Sequence, residues 1–224
     1  MNTPLTLDIE TIPLEGALAA PYPAARRDPP SNYKSDEAIA KWRTADEARW
    51  REERAKECSL NPRLGRILVI GTDREMLVAP SASDEPEVLA RAWDLLAEHG
   101  YRVVTWNGSW DLRFLLLRSM RHGIALPAAA QPWVAQWFKR YSYSPHFDCK
   151  AVLLNWEVRV SGEGLTEWAE FLGLPGKLGG LSGADVWPLY QAGHIEEIVE
   201  YCQQDVAATR AVFDKVSPYF FGDA

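Results

Sequence analysis

Four carboxylates and one phenol recur along the chain in small groups: Asp8-Ile9-Glu10, Asp111 after Asn107-Gly108-Ser109-Trp110, and Tyr201-Cys202-Gln203-Gln204-Asp205. Asp8 and Glu10 lie in an apolar run that reads as a strand, where residues two apart share a face, so both carboxylates can reach one cation. Tyr201 and Asp205 are four apart in a helical pattern and stack on one helix face. Mg²⁺ and Mn²⁺ favour oxygen ligands, so a few carboxylates and a substrate phosphate complete their coordination. Two such ions about 3.5–4 Å apart activate a water and stabilise the leaving oxygen in displacement at phosphorus. Without cations, the same acids would repel one another and some would stay protonated. The residue set therefore points to two-metal hydrolysis of a phosphodiester.

On these motifs the chain resembles the DEDD superfamily of 3′-5′ exonucleases, and within it the tyrosine subclass, similar to the proofreading exonuclease domain of family B DNA polymerases. Asp8 and Glu10 match the first motif, Asn107, Gly108 and Asp111 the second, and Tyr201 and Asp205 the third; Leu172 to Lys177 and Val186 to Tyr190 also match. The resemblance spans roughly residues 4–216. His146-Phe147-Asp148-Cys149-Lys150 matches only partly, and residues 13–60 are idiosyncratic, which bears on substrate handling.

What the resemblance implies is an α/β, ribonuclease H-like exonuclease fold: a mixed central sheet of an antiparallel hairpin plus parallel strands, flanked by helices. It implies one exonuclease domain over residues 1–224, carrying a Pro-rich loop and a charged helical insertion at about 13–60. The expected activity is hydrolysis of single-stranded DNA 3′ ends to nucleoside 5′-monophosphates. Two Mg²⁺ or Mn²⁺ ions would be held by Asp8, Glu10, Asp111 and Asp205, with Asp8 bridging them and Asp111 supporting the second. Tyr201 is expected to orient the attacking water, because a phenol with a pKa of about 10 is a poor base at neutral pH. Thr11, Ile12, Trp106 and Asn107 flank the site and are the expected contacts to the terminal nucleotide.

Composition bounds this reading. A chain of 224 residues, 47% hydrophobic and 25% charged, suits one globular domain with a sizeable core. Its formal charge of −7 argues against tight duplex binding by phosphate neutralisation. A metal-dependent nuclease escapes that objection, since the cations bring the positive charge. The expected partners are single-stranded nucleic acid 3′ ends, DNA favoured over RNA, and the acidity suits an enzyme that either binds weakly or is delivered by a replication or repair protein. Three cysteines without Cys-x-x-Cys spacing fit neither a disulfide framework nor a zinc knuckle. With no signal-like start and no apolar run near the ~18 residues that span a bilayer, a cytoplasmic protein is expected.

The elements that must position the acids follow from local pattern. A strand is expected at 4–10, then a proline-rich loop at 13–30 and a charged helix at 35–58. That helix reads as a solvated amphipathic element packed by its tryptophans. Arg49, Arg51, Arg54, Lys56, Arg63 and Arg66 offer the alternative of a substrate or partner clamp. A hairpin covers 66–78 around Asp73-Arg74, a helix 84–100, and a strand 101–106 that leads into a helix with Ser109 as its N-cap. Residues 127–145 read as irregular and aromatic, their rings assigned to packing ahead of base stacking. Helices are expected at 146–154, 165–172 and 195–216.

Other chemistries fit poorly. The Gly173–Lys177 stretch lacks the Ser or Thr of a phosphate-binding loop, and the four histidines share no metal-ligand spacing. There is no Gly-x-Ser-x-Gly elbow. Two rivals remain: an RNA-directed exonuclease of the same fold, and a catalytically idle docking protein of the replication or repair machinery. The second conflicts with retention of four mutually repelling acids.

Overall fold

The structure is a computed structural model that describes residues 3–23, 27–156, 164–175 and 180–221. The chain divides into two compact units, one comprising residues up to Glu10 together with those from Ile67 onward, the other Thr11–Arg66. The stretch expected as an insertion at 13–60 falls within the second.

The elements in chain order are β1 (Leu5–Pro13), α1 (Glu15–Leu18), α2 (Asp36–Ser59), β2 (Gly65–Thr72), β3 (Met76–Val78), α3 (Glu85–Glu98), β4 (Val103–Thr105), α4 (Gly108–Arg121), α5 (Gln131–Trp137), β5 (His146–Asp148), α6 (Cys149–Leu153), α7 (Leu165–Phe171), α8 (Val186–Gln191) and α9 (Ile195–Val216). Five strands form one sheet in the order β3-β2-β1-β4-β5. β2 and β3 are antiparallel, while β1, β4 and β5 run parallel. This mixed sheet flanked by helices is an α/β, ribonuclease H-like arrangement.

Strand alternation sorts the first unit's side chains between two cores. Leu5, Leu7 and Ile9 enter a cluster with Val103, Leu89 and Leu96 of α3, Leu112 and Phe114 of α4, and Trp137 of α5. Val104 and Phe147 belong to the opposite cluster, with Leu165 of α7 and Val212, Phe213 and Val216 of α9. Since Thr6 is in register with Val104, and Val104 with Phe147, the even-numbered residues Thr6, Asp8 and Glu10 face the α9 side. Each fully buried Leu contributes roughly 1.5–3 kcal/mol, so a one-residue slip of β1 would forfeit several such terms and carry the acids to the wrong face.

Two expectations are corrected. Residues 146–154 are not one helix: His146–Asp148 pairs with β4 as a strand before α6 begins. A strand of three residues is too short for an alternation signal, and its pairing partner supplies its definition. Ser109 is not the cap of α4, which has Asn107 at that position and no side-chain cap from it. Asp148 instead accepts a hydrogen bond from the Ser109 N–H at 3.3 Å, so the orphan donor is met from across the sheet. The aromatic segment at 127–145 is also less irregular than expected, containing α5. The Gly176-Lys177 end of the Leu172 to Lys177 stretch lies outside the described residues.

In the second unit, α2 is capped by Ser35, whose side chain accepts from the Ala38 N–H at 3.2 Å. Asp46 is buried and accepts from the Tyr22 hydroxyl at 2.6 Å, and the Tyr22 ring meets Trp50 edge-on at 5.6 Å. Arg51 pairs with Glu47 and Arg54 with Glu57, so two of the proposed clamp residues already hold acids on their own helix.

Candidate active site

The parallel strands β1 and β4 lie side by side at the centre of the sheet, where the chain order turns outward in both directions. In open α/β sheets the crevice beyond the carboxyl ends of such strands is where ligands bind. Asp8 and Glu10 sit toward that end of β1, Asp111 in the first turn of the helix after β4, and Tyr201 and Asp205 on α9. Glu10, Asp111, Tyr201 and Asp205 are buried and Asp8 is half-buried.

Charges from separate motifs act on one another here. Burial pushes the Asp111 carboxyl well above the usual carboxylate range, and the charges of Asp8 and Asp148 push it further, against hydrogen bonds from its own N–H and that of Ile9. Burial likewise raises Tyr201, and the negative charges of Asp205, Glu10 and Asp8 raise it more. The phenol is thus a firmly protonated donor, and it donates to Asp205. Two motifs far apart in sequence therefore act on one tyrosine.

Cys202 completes the arrangement and was missed as a site residue in the sequence. Its thiol lies 3.5 Å from Asp8 Oδ2 and donates to it. Burial and the charges of Asp8 and Glu10 keep that thiol protonated. Ligand atoms of Asp8, Glu10 and Cys202 all lie within 4.8 Å of one another, a spacing that one cation can satisfy. The oxygen donors Asp8 and Glu10 fit a hard divalent cation, and such an ion would also offset the burial and the Asp8 charge that raise Asp111.

Two glycines permit this geometry. A Cβ on Gly71 of β2 would stand 2.6 Å from Cys202 Sγ and 3.0 Å from Val206 Cγ2, so its absence lets α9 lie close on the sheet. A Cβ on Gly108 would collide with Thr105 and His146. Those two side chains bond to each other at 2.8 Å, while His146 Nδ1 donates to the Trp137 carbonyl at 2.9 Å. The carbonyl fixes the proton on Nδ1, leaving Nε2 to accept from the Thr105 hydroxyl.

The expected nucleotide contacts are placed less uniformly. Thr11 and Ile12 continue β1 beyond Glu10 and are buried. The Thr11 hydroxyl donates to the Ser59 carbonyl at 2.7 Å. Trp106 packs against the α9-side core, and its carbonyl accepts from the Lys150 N–H at 3.0 Å. Asn107 is exposed at the head of α4. Asp148 lies in the stretch that matches the family pattern only in part: besides the Ser109 N–H, it accepts from the Ala151 N–H at 2.9 Å and caps α6.

The mixed sheet is that of a ribonuclease H-like α/β domain, and it carries an acidic cluster at Asp8 and Glu10. Residues 71–219 match the family described as a predicted 3′-5′ exonuclease related to the exonuclease domain of PolB, and the chain belongs to that family. The match contains Asp111, Tyr201 and Asp205; Asp8 and Glu10 precede it. No curated protein matches the chain. Among the described residues, no helix is long and apolar enough to cross a membrane.

Proposed function

We propose that the protein is a metal-dependent 3′-5′ exonuclease of the tyrosine DEDD subclass, acting on single-stranded DNA and releasing nucleoside 5′-monophosphates. The observation that carries this reading is the acid cluster itself: ligand atoms of Asp8, Glu10 and Cys202 lie within 4.8 Å of one another, Asp8 acts on Asp111, and Asp8, Glu10 and Asp205 act on Tyr201. Asp8, Glu10 and Asp205 would hold one divalent cation, Mg²⁺ or Mn²⁺, and Asp8 and Asp111 a second. Bound there, the two ions would lower the pKa of the attacking water and stabilise the leaving 3′-oxygen.

The chain's own groups do the rest. Tyr201 is assigned no role as a base, because a phenol titrates at about 10 even when free, and burial and then the neighbouring carboxylates raise this one. It instead orients the water, while its hydrogen bond to Asp205 keeps phenol and carboxylate in register. Cys202 holds Asp8 by its thiol hydrogen bond, which fixes the carboxylate that would be shared between the ions.

The test is a time course on 5′-labelled single-stranded DNA and RNA of one sequence, with Mg²⁺, Mn²⁺ or chelator, beside Asp8→Ala. A metal-dependent ladder shortening from the 3′ end, faster on DNA and slowed on the order of 10³-fold or more in the variant, is expected. Preference for RNA would replace the substrate, and no cleavage of either strand would overturn the activity.

A further inference from the structure

Beyond the acid cluster, the same unit carries a cavity of about 410 Å³ at the carboxyl ends of β4 and β5. Its wall begins at Asn107 and Ser109, the head of the helix that carries Asp111, and continues through Asp148 to Lys150 and Trp156. The far side is the segment after α5, with Phe138, Lys139 and Arg140. Three cations around one cavity contrast with the net charge of −7 for the whole chain. Among the described residues, neither Lys139 nor Arg140 takes part in an ion pair.

The cavity is shaped rather than incidental. Arg140 Nη2 donates to the Trp156 carbonyl at 2.8 Å, and its guanidinium lies 5.6 Å from the Tyr141 ring centroid. The Tyr141 and Trp156 rings stand 5.0 Å apart. Tyr141, Asn155 and Trp156 all adopt positive φ, at 60°, 49° and 58°. Left-handed backbone is uncommon outside glycine, more so for bulky residues, and such strain gathers at ligand sites when the surroundings enforce it. Trp156, one of these residues, lines the cavity together with the Arg140 that bonds to its carbonyl.

Position supplies the ligand class. β1, β4 and β5 are adjacent, so the end of β5 lies two strand spacings from Asp8, about 10 Å. A substrate whose scissile phosphate sits at the acids places its next nucleotides within that reach. Those phosphates cannot be held by the carboxylates and need cations of the protein's own. Their bases need flat apolar surfaces, and stacking on an aromatic side chain tolerates any sequence.

We propose that this cavity seats the nucleotides adjoining the scissile bond of a single-stranded nucleic acid, with Lys139, Arg140 and Lys150 on the phosphates and Phe138 and Trp156 against a base. The assignment rests on the exonuclease reading for its location, while binding can be measured without turnover. Arg140 is the most defined contact, because its donor fork is already aimed by the Trp156 carbonyl.

The experiment measures fluorescence anisotropy of a 5′-fluorescein oligothymidylate of about ten nucleotides, near the usual site size for single-strand binders. Ca²⁺ replaces Mg²⁺, and wild type is compared with Arg140→Ala/Lys150→Ala and with the charge-keeping Arg140→Lys/Lys150→Arg. The double alanine protein should bind at least 10-fold more weakly and lose about 1.4 from the slope of log affinity against log salt, about 0.7 per lost phosphate contact. The charge-keeping protein should retain the slope. Unchanged affinity and slope in a folded double alanine protein would overturn the cavity's role, even if the enzyme digests DNA. Displacement of the oligomer by thymidine 5′-monophosphate or inorganic phosphate at equal concentration would also overturn it, by making the cavity a single-anion site. Failure of wild type to cleave, with variant-sensitive binding retained, would instead fault the exonuclease reading and leave the cavity standing.

Discussion

Glu85 and Asp111 are both buried acids in the first turn of a helix in the same unit, yet their surroundings drive them in opposite directions. Burial alone would raise Glu85. Arg118 at 2.6 Å, the Ile67 N–H at 2.8 Å and His122 at 2.8 Å outweigh it and hold the carboxyl below its usual value. Asp111 has two backbone N–H groups, but the charged groups acting on it are Asp8 and Asp148, and it is raised. A helix N-terminus favours either acid by only about 0.3–1 kcal/mol, so burial raises both, and neighbouring groups reverse that at Glu85 and add to it at Asp111. Glu85 is neutralised from within the protein, whereas Asp111 has no cationic partner among the groups acting on it, a role that on the proposed function is left to a bound cation.

The largest effect should come from breaking the internally neutralised side. Glu85→Ala would leave Arg118 buried without its carboxylate, costing about 3–5 kcal/mol, and thermal unfolding should show it with or without metal. A loss below about 1 kcal/mol would mean that water replaces the carboxylate there. The same pair predicts a pH dependence. Glu85 is lowered in the folded state, so its stabilisation is present above the unfolded value of about 4.3 and fades as pH falls through the lower folded value. The stability gap between wild type and Glu85→Gln should therefore be widest near neutrality and close in acid.

On the functional side, Tyr201→Phe should slow turnover about 10- to 100-fold, the range for a supporting hydrogen bond at a metal site. Metal affinity by calorimetry should not move; equal loss of both would make Tyr201 a structural support for Asp205 and not an orienting donor. The smallest effect sharpens the contrast most. Asp111→Asn relieves like-charge repulsion, so the metal-free protein should gain stability, on the order of 1 kcal/mol in chemical denaturation. The stabilisation that Mn²⁺ gives wild type should shrink in that variant. A metal-free Asp111→Asn protein less stable than wild type would place Asp111 in the structural class with Glu85.

How much of this was legible beforehand depended on the range of each signal. Asp8 with Glu10 and Tyr201 with Asp205 were readable because strand and helix periodicities act over a few residues. Asp111 was readable through the strand, turn and helix-start pattern before it, although the cap was assigned to Ser109. That assignment failed because the group that meets the helix's open N–H is Asp148, 39 residues away. The strand His146–Asp148 was read as helix for the same reason: three residues carry no period, and their identity as a strand comes from pairing with Val103–Thr105.

The sequence by itself determined the acids, their local spacing and the alternation that puts apolar residues of β1 on one face and its acids on the other. Tertiary structure decided which charges meet. It paired Glu85 with Arg118, surrounded Asp111 with carboxylates, brought the Cys202 thiol to Asp8, and folded Lys139, Arg140 and Lys150 around one cavity. The physical reason is that periodicity is set by backbone geometry within a few residues, whereas a buried group's charge state is set by whichever groups the chain packs beside it.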